Sequence, residues 1–191
     1  MSSKIKFKNT SNKTNNIKWI ITIIIWTFIL SILINSASSG LMPSLSINMA
    51  FIILILLIFI GILFDIIGMA VATATDVPFH SMAAKNIKGT SQAIRLIKNS
   101  EKVASFCNDV VGDISGIISG SAAAIIVSRI AHSTVQTTII SLLITAMVAA
   151  LTVGGKAFGK GLAMRRANAI VYRVALILYY FEKIFKRKGK R

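Results

Sequence analysis

The chain has 191 residues, 54% of them hydrophobic and 15% charged, with the apolar residues gathered in long runs, a composition that excludes an ordinary water-soluble domain and indicates a membrane protein. Twenty-two Lys and Arg face six acids (Asp65, Asp76, Glu101, Asp109, Asp113 and Glu182), giving a formal charge of +16. Because the basic residues flank the apolar runs, they point to anionic lipid headgroups and cytoplasmic loops, not to nucleic acid.

Residues 1–18 form a polar, basic tail with Lys4, Lys6, Lys8, Lys13 and Lys18. The uncharged "WIITIIIWTFILSILI" (Trp19 to Ile34) follows, and residues 19–37 are expected to cross a bilayer, which takes about 20 apolar residues. A cleaved signal peptide is the rival reading, given the small residues Ser36 to Ser39; the apolar run is longer than the usual signal core. "NSASSGLMPSLS" (35–46) reads as a short turn with Pro43 ahead of the second span. That span, "INMAFIILILLIFIGILF" (Ile47 to Phe64), is expected to close at Asp65, whose carboxylate would cap the interface and balance nearby lysines.

The segment 76–102 is too polar to cross and too apolar for a plain linker. Ile87, Ile94, Leu96 and Ile97 alternate with Lys85, Lys88, Arg95 and Lys98, and Gly89 divides the segment, so a helical hairpin on the inner leaflet is expected. Asp76, before Val77-Pro78, is placed as its N-cap. A third span covers about 103–127, and a fourth runs from Val135 to Val153 after the short link "SRIAHST". The glycines of "GGKAFGKG" (from Gly154) are expected to end the fourth span and let the chain turn into an amphipathic helix over 161–185, with Arg165, Arg166 and Arg173 reaching headgroups. Residues 186–191 form a basic tail that binds headgroups.

Orientation follows from charge. Lysines precede the first span, Lys85, Lys88, Arg95, Lys98 and Lys102 lie between the second and third, and eleven Lys and Arg follow the fourth. The opposite loops hold only Arg129 and His132. Both termini are therefore expected in the cytoplasm, with an even number of crossings. The expected fold is all-α: a polytopic membrane protein with about four transmembrane helices, a juxtamembrane helical hairpin and a C-terminal amphipathic belt helix.

Cys107 is alone and His80 and His132 are far apart, without a Ser/Asp signature, so no Cys/His metal site and no hydrolase is indicated, and the chain is not expected to be an enzyme. Carboxylates inside a bilayer need an explanation. On a regular helix Asp109, Asp113, Gly116 and Gly120 fall within an arc of about 60°. Hard cations such as Mg²⁺ take carboxylates with hydroxyls, carbonyls and retained water. The candidate metal-ligating set is therefore Asp109 and Asp113 with Asn108, Ser115, Thr73, Thr75 and Asp76. The structural alternative places Asp109 and Asp113 near the cytoplasmic start of their span, favoured by the helix dipole and paired with Lys102 or Arg165. Gly112, Gly116 and Gly120 form a small-xxx-small ridge for close helix packing.

The order of elements over residues 47–185 resembles the transmembrane domain of the CNNM/CorC family of magnesium transporters. "GMAVATATDVPFHSMAAKNIKGTSQAIRLIKNSEK" (from Gly68) is similar to the family's hairpin, and "GKAFGKGLAMRRANAIVYRVALILYYF" (from Gly155) to its "G-E-x-x-P-K" exit and belt, with Gly155 and Lys160 at the family's Gly and Lys. Met69, Ala70 and Val71 stand where the family has a Ser-Glu pair, Lys156 at its Glu and Gly159 at its Pro. Either Asn108 or Asp113 matches the Asn of its Gly-Asn motif. No counterpart of the family's CBS domains is expected, and the span at 19–37 is additional to the family's pattern. The resemblance implies a plasma-membrane protein that moves or binds divalent cations, chiefly Mg²⁺, as a homodimer. The alternative is a non-transporting homologue serving as a membrane scaffold or partner subunit for an unidentified membrane or cytoplasmic protein.

Overall fold

A computed structural model describes residues 13–41, 44–130 and 134–188. The N-terminal lysines Lys4, Lys6 and Lys8, Pro43, His132 and the last residues of the basic tail lie outside the described residues. The described part is all-helical: α1 (Lys13–Leu41), α2 (Ile47–Thr73), α3 (Val77–Ala84), α4 (Thr90–Lys98), α5 (Ser100–Ser105), a π-helix (Phe106–Gly112), α6 (Asp113–Ile130), α7 (Thr134–Arg165) and α8 (Ala167–Lys188). Among the described residues four stretches are long and apolar enough to cross a membrane: Trp19–Leu41, Ile47–Thr73, Ser100–Ile130 and Thr138–Arg165. Large side chains including Ile24, Phe28, Ile55, Leu142, Leu143, Met147 and Val153 are exposed along them, a surface suited to lipid and unfavourable in water.

Three boundaries differ from the sequence reading. Helix α1 begins at Lys13 and runs through the Ser-rich stretch to Leu41, because small uncharged residues there do not interrupt backbone bonding. Helix α2 does not stop at Asp65 but continues through the apolar "IIGMAVAT" to Thr73. Helix α7 runs unbroken through Gly154, Gly155, Gly159 and Gly161 to Arg165, and the chain breaks at Arg166, so the amphipathic helix begins at Ala167. The glycines act as contact points: a Cβ at Gly155 would overlap Ile62, and one at Gly159 would lie 2.6 Å from Ile66 Cγ1. They bring α7 close to α2 instead of ending it.

Helix α2 is the axis of the bundle, packed along α6, α7 and the π-helix and meeting α5 and α8 at its C-terminal end. At its N-terminal end Ser46 caps it by accepting from the Met49 N–H at 3.4 Å, as a serine N-cap does. Above that cap, Ala50, Leu54 and Ile58 pack with Ala122, Ala123 and Ile126 of α6. Ile23 and Leu30 of α1 rest on Val110, Ile114 and Ile118, and Lys102 Nζ lies 5.2 Å from the Trp19 ring centroid, within cation–π range.

At the other end, Ala70 and Val71 of α2 join Phe79 of α3, Ala93 of α4, Ala163 of α7, and Val171 and Ala175 of α8 in one apolar cluster. The α3–α4 pair is folded by Gly89, whose φ is +82°, a conformation in which glycine carries no side-chain penalty. Asp76 precedes α3 as expected, but its carboxylate makes no cap bond; it lies 3.5 Å from His80 Nε2 one turn on. Helix α8 docks on α4, where Glu182 accepts from Arg95 at 3.2 Å and from Gln92 at 3.1 Å, and leaves Ile177, Tyr180, Phe181 and Ile184 exposed.

Candidate functional site

The seam between α2 and the third spanning segment carries polar groups where apolar ones would be the default. Glycines on each side bring the helices together. A Cβ at Gly61 would sit 3.0 Å from Ser115 Cβ; one at Gly112 would sit 4.0 Å from Asp65 Oδ1; one at Gly68 would overlap Asn108 Oδ1. Gly61, Asp65 and Gly68 of α2 thus face Ser115, Gly112 and Asn108 in antiparallel order. Each level pairs a missing side chain with a polar one.

Asp65 is 3% exposed. Among the described residues its Oδ2 has no hydrogen-bond partner, and neither has the buried Oδ1 of Asn108. Both are acceptors on closely packed helices, where an oxygen left without a hydrogen bond costs about 1–3 kcal/mol. Two lysines of α7 bring charge to the seam. Lys160 Nζ lies 3.9 Å from Asp65 Oδ2, and Lys156 Nζ lies 3.6 Å from Asp113 Oδ1. Gly112 admits the second ammonium: a Cβ there would stand 3.5 Å from Lys156 Nζ. Two carboxylates and two ammoniums therefore share one side of the bundle, with the lysines one turn apart on a continuous helix.

The π-helix decides which third-span residues reach this seam. Its wide i→i+5 turn separates residues that a regular helix would align. Asp109 is exposed and has no ion-pair partner among the described residues. Asp113 is largely exposed and turns to Lys156, instead of Lys102 or Arg165. Asn108 and Ser115 point to α2. The π-helix also places Gly112 against Asp65, while Gly116 and Gly120 face open space, so the glycine ridge packs within the chain only at its first position.

Of the seven residues expected to ligate metal, Asn108 and Ser115 lie on the seam and Asp113 at its edge. The other four have other surroundings. The Thr73 hydroxyl donates to Met69 O at 2.8 Å, and the Thr75 N–H donates to Asn168 Oδ1 at 3.0 Å. Asp76 faces His80. Among the described residues no three His, Cys, Asp or Glu side chains converge. Asp65 is the residue that sequence reasoning missed. Its signal was the apolar run on both sides of it, which places the acid inside a span and not at its end.

Comparison of the chain with protein-family models, with curated proteins and with solved structures gave no match.

Proposed function

We propose that this chain is a multi-pass protein of the plasma membrane, with both termini in the cytoplasm, that binds and moves divalent cations, chiefly Mg²⁺, through the α2–π-helix seam. The observation that carries this reading is the pair of buried acceptors that receive no hydrogen bond among the described residues, Asp65 Oδ2 and Asn108 Oδ1, the first with only Lys160 at 3.9 Å. Carboxylate, amide and hydroxyl oxygens are the donor types a hard cation takes, and Ser115 extends the set along the same seam. In the proposed orientation Asp65 lies eight residues from the cytoplasmic end of α2, about 12 Å deep at 1.5 Å per residue.

Lys156 and Lys160 supply internal positive charge where a relative of the CNNM/CorC type would have an acid and a lysine. In this reading they are counter-ions that an entering cation displaces, their stems being long enough to move the ammonium toward the interface. The α3–α4 hairpin and α8 lie at the inner leaflet, α8 as a belt on anionic headgroups, and the chain works as a homodimer.

Mg²⁺ uptake or release by proteoliposomes tests the proposal. Wild-type protein is expected to conduct, and Asp65→Asn to reduce flux at least about tenfold, as for loss of a charged ligand. Flux unaffected by Asp65→Asn would remove the seam from the mechanism.

The two ion pairs favour a second reading. Lysines at 3.6 and 3.9 Å from Asp113 and Asp65 neutralise the site from within, as a non-transporting scaffold or partner subunit would allow. That reading requires no Mg²⁺, Mn²⁺ or Co²⁺ flux and no Mg²⁺-dependent stabilisation, together with a stoichiometric co-purifying partner.

A further inference from the structure

The junction of α7 and α8 holds a second polar feature that shares neither Asp65, Asn108 nor the two lysines. A cavity of about 540 Å³ opens there, lined by Thr73, Thr75, Arg165, Arg166 and Asn168 among others. Both arginines are exposed, and neither has an ion-pair partner among the described residues. No Asp or Glu among the described residues lines the cavity, and Asp76, next to Thr75, lies 3.5 Å from His80 Nε2.

The wall opposite the arginines is fixed. Asn168 accepts from the Thr75 N–H at 3.0 Å and donates through Nδ2 to Thr75 Oγ1 at 3.3 Å, pinning the α2–α3 connection to α8. With that oxygen accepting, the Thr75 hydroxyl proton is not used in this bond, and the residue lines the cavity. Thr73, whose hydroxyl is bonded to Met69 O, adds a polar wall without a free donor. Two consecutive arginines and a hydroxyl, on a lining without a carboxylate, match the oxygens of a phosphate group.

We infer that this cavity binds a phosphate anion, the chemistry shared by an anionic phospholipid headgroup and free phosphate. Its place favours the lipid: the chain leaves the long apolar α7 at Arg165 and enters the amphipathic α8 at Ala167, so the cavity sits where a span meets the headgroup layer in the proposed orientation. Exposed Leu162 and Met164 lie beside it, a surface for acyl chains.

The test uses the full chain in detergent, with retention of short-chain phosphatidylglycerol and phosphatidylcholine read by native mass spectrometry. Wild-type protein is expected to retain phosphatidylglycerol preferentially, and R165Q/R166Q to lower that preference about tenfold, as for lost charge-assisted hydrogen bonds. K85Q/K98Q removes equal charge from exposed positions outside α7 and α8 and is expected to change retention less than about twofold. R165K/R166K keeps the charge without the fork and is expected to lose about threefold, so the inference stays testable if the glutamine pair fails to fold. Equal losses in both double glutamine variants, or no preference in wild type, would overturn it. Displacement of the lipid by inorganic phosphate at matching concentration assigns the site to free phosphate; retention against excess inorganic phosphate assigns it to the lipid. A failure here leaves Mg²⁺ flux and its Asp65 dependence untouched.

Discussion

Asp65 and Lys160 stand 3.9 Å apart across the α2–α7 seam, the carboxylate enclosed and the ammonium half exposed. The two partners are therefore unequal. Lys160→Met leaves a buried anion with only the more distant help of Lys156, and is expected to lower stability by about 2 kcal/mol. Asp65→Asn leaves an ammonium that can extend toward water and should lower it by about 1 kcal/mol or less. Replacing both by apolar residues, Asp65→Leu with Lys160→Met, should return stability to within about 1 kcal/mol of wild type. Unfolding of the four proteins in one detergent measures this, and equal, additive losses would contradict it.

Gly68 is required by Asn108. A methyl group at position 68 would overlap the Asn108 amide, so Gly68→Ala should destabilise by about 1–3 kcal/mol, as overpacking does. The double variant Gly68→Ala/Asn108→Ala removes the collision and should recover most of the loss. Absence of recovery would mean that the two residues are not in contact.

Asn108 separates stability from binding. Its buried Oδ1 has no hydrogen-bond partner among the described residues, so Asn108→Leu should leave unfolding within about 1 kcal/mol of wild type or raise it. The increase in melting temperature on adding Mg²⁺, expected of a site that binds only the folded state, should vanish in the same variant. Unchanged Mg²⁺ stabilisation in Asn108→Leu would take this residue out of the cation site.

Gly89 tests the docking of α8. Its φ of +82° and the Leu176 Cα 3.3 Å from a Cβ built there make Gly89→Ala both strained and crowded, at about 1–2 kcal/mol for the backbone alone. Hydrogen exchange over α4 and α8 should quicken, while α6 should stay protected. Uniform change across the bundle would show that the two helices are not a separate unit.

Membrane orientation is accessible through thiol labelling. In a Cys107→Ser background, Ser44→Cys should react with a membrane-impermeant maleimide on intact cells, and Asn86→Cys only after permeabilisation. The reverse pattern would invert the arrangement.

Much of the architecture was legible because bilayer-length apolar runs are visible without tertiary information. The four stretches long and apolar enough to span a membrane and the divided helical segment after α2 were found that way, while helix ends were misplaced wherever a conspicuous residue was taken as punctuation. Asp65 looked like a terminus because charge usually marks one, and Gly154 to Gly161 looked like a break because glycine weakens isolated helices. In both places neighbouring helices set the outcome: α7 answers the aspartate with lysines, and α2 fills the space left by the glycines. The third span was misread for a different reason. A regular turn of 100° per residue was assumed from Asp109 to Gly120, and the π-helix at Phe106–Gly112 reorders that face. No local composition announces such a turn.

The continuity of α7 also has a mechanical consequence. Its 32 residues make a rod about 48 Å long, which carries Lys156 and Lys160 and ends where Arg165 and Arg166 border the cavity. Ile62 and Ile66 seat in the notches left by Gly155 and Gly159, so the rod is held in register against α2. A pull on its surface end that shifts this register would be felt as a displacement of both ammoniums from Asp65 and Asp113, tying what happens at the leaflet to the charge balance of the seam.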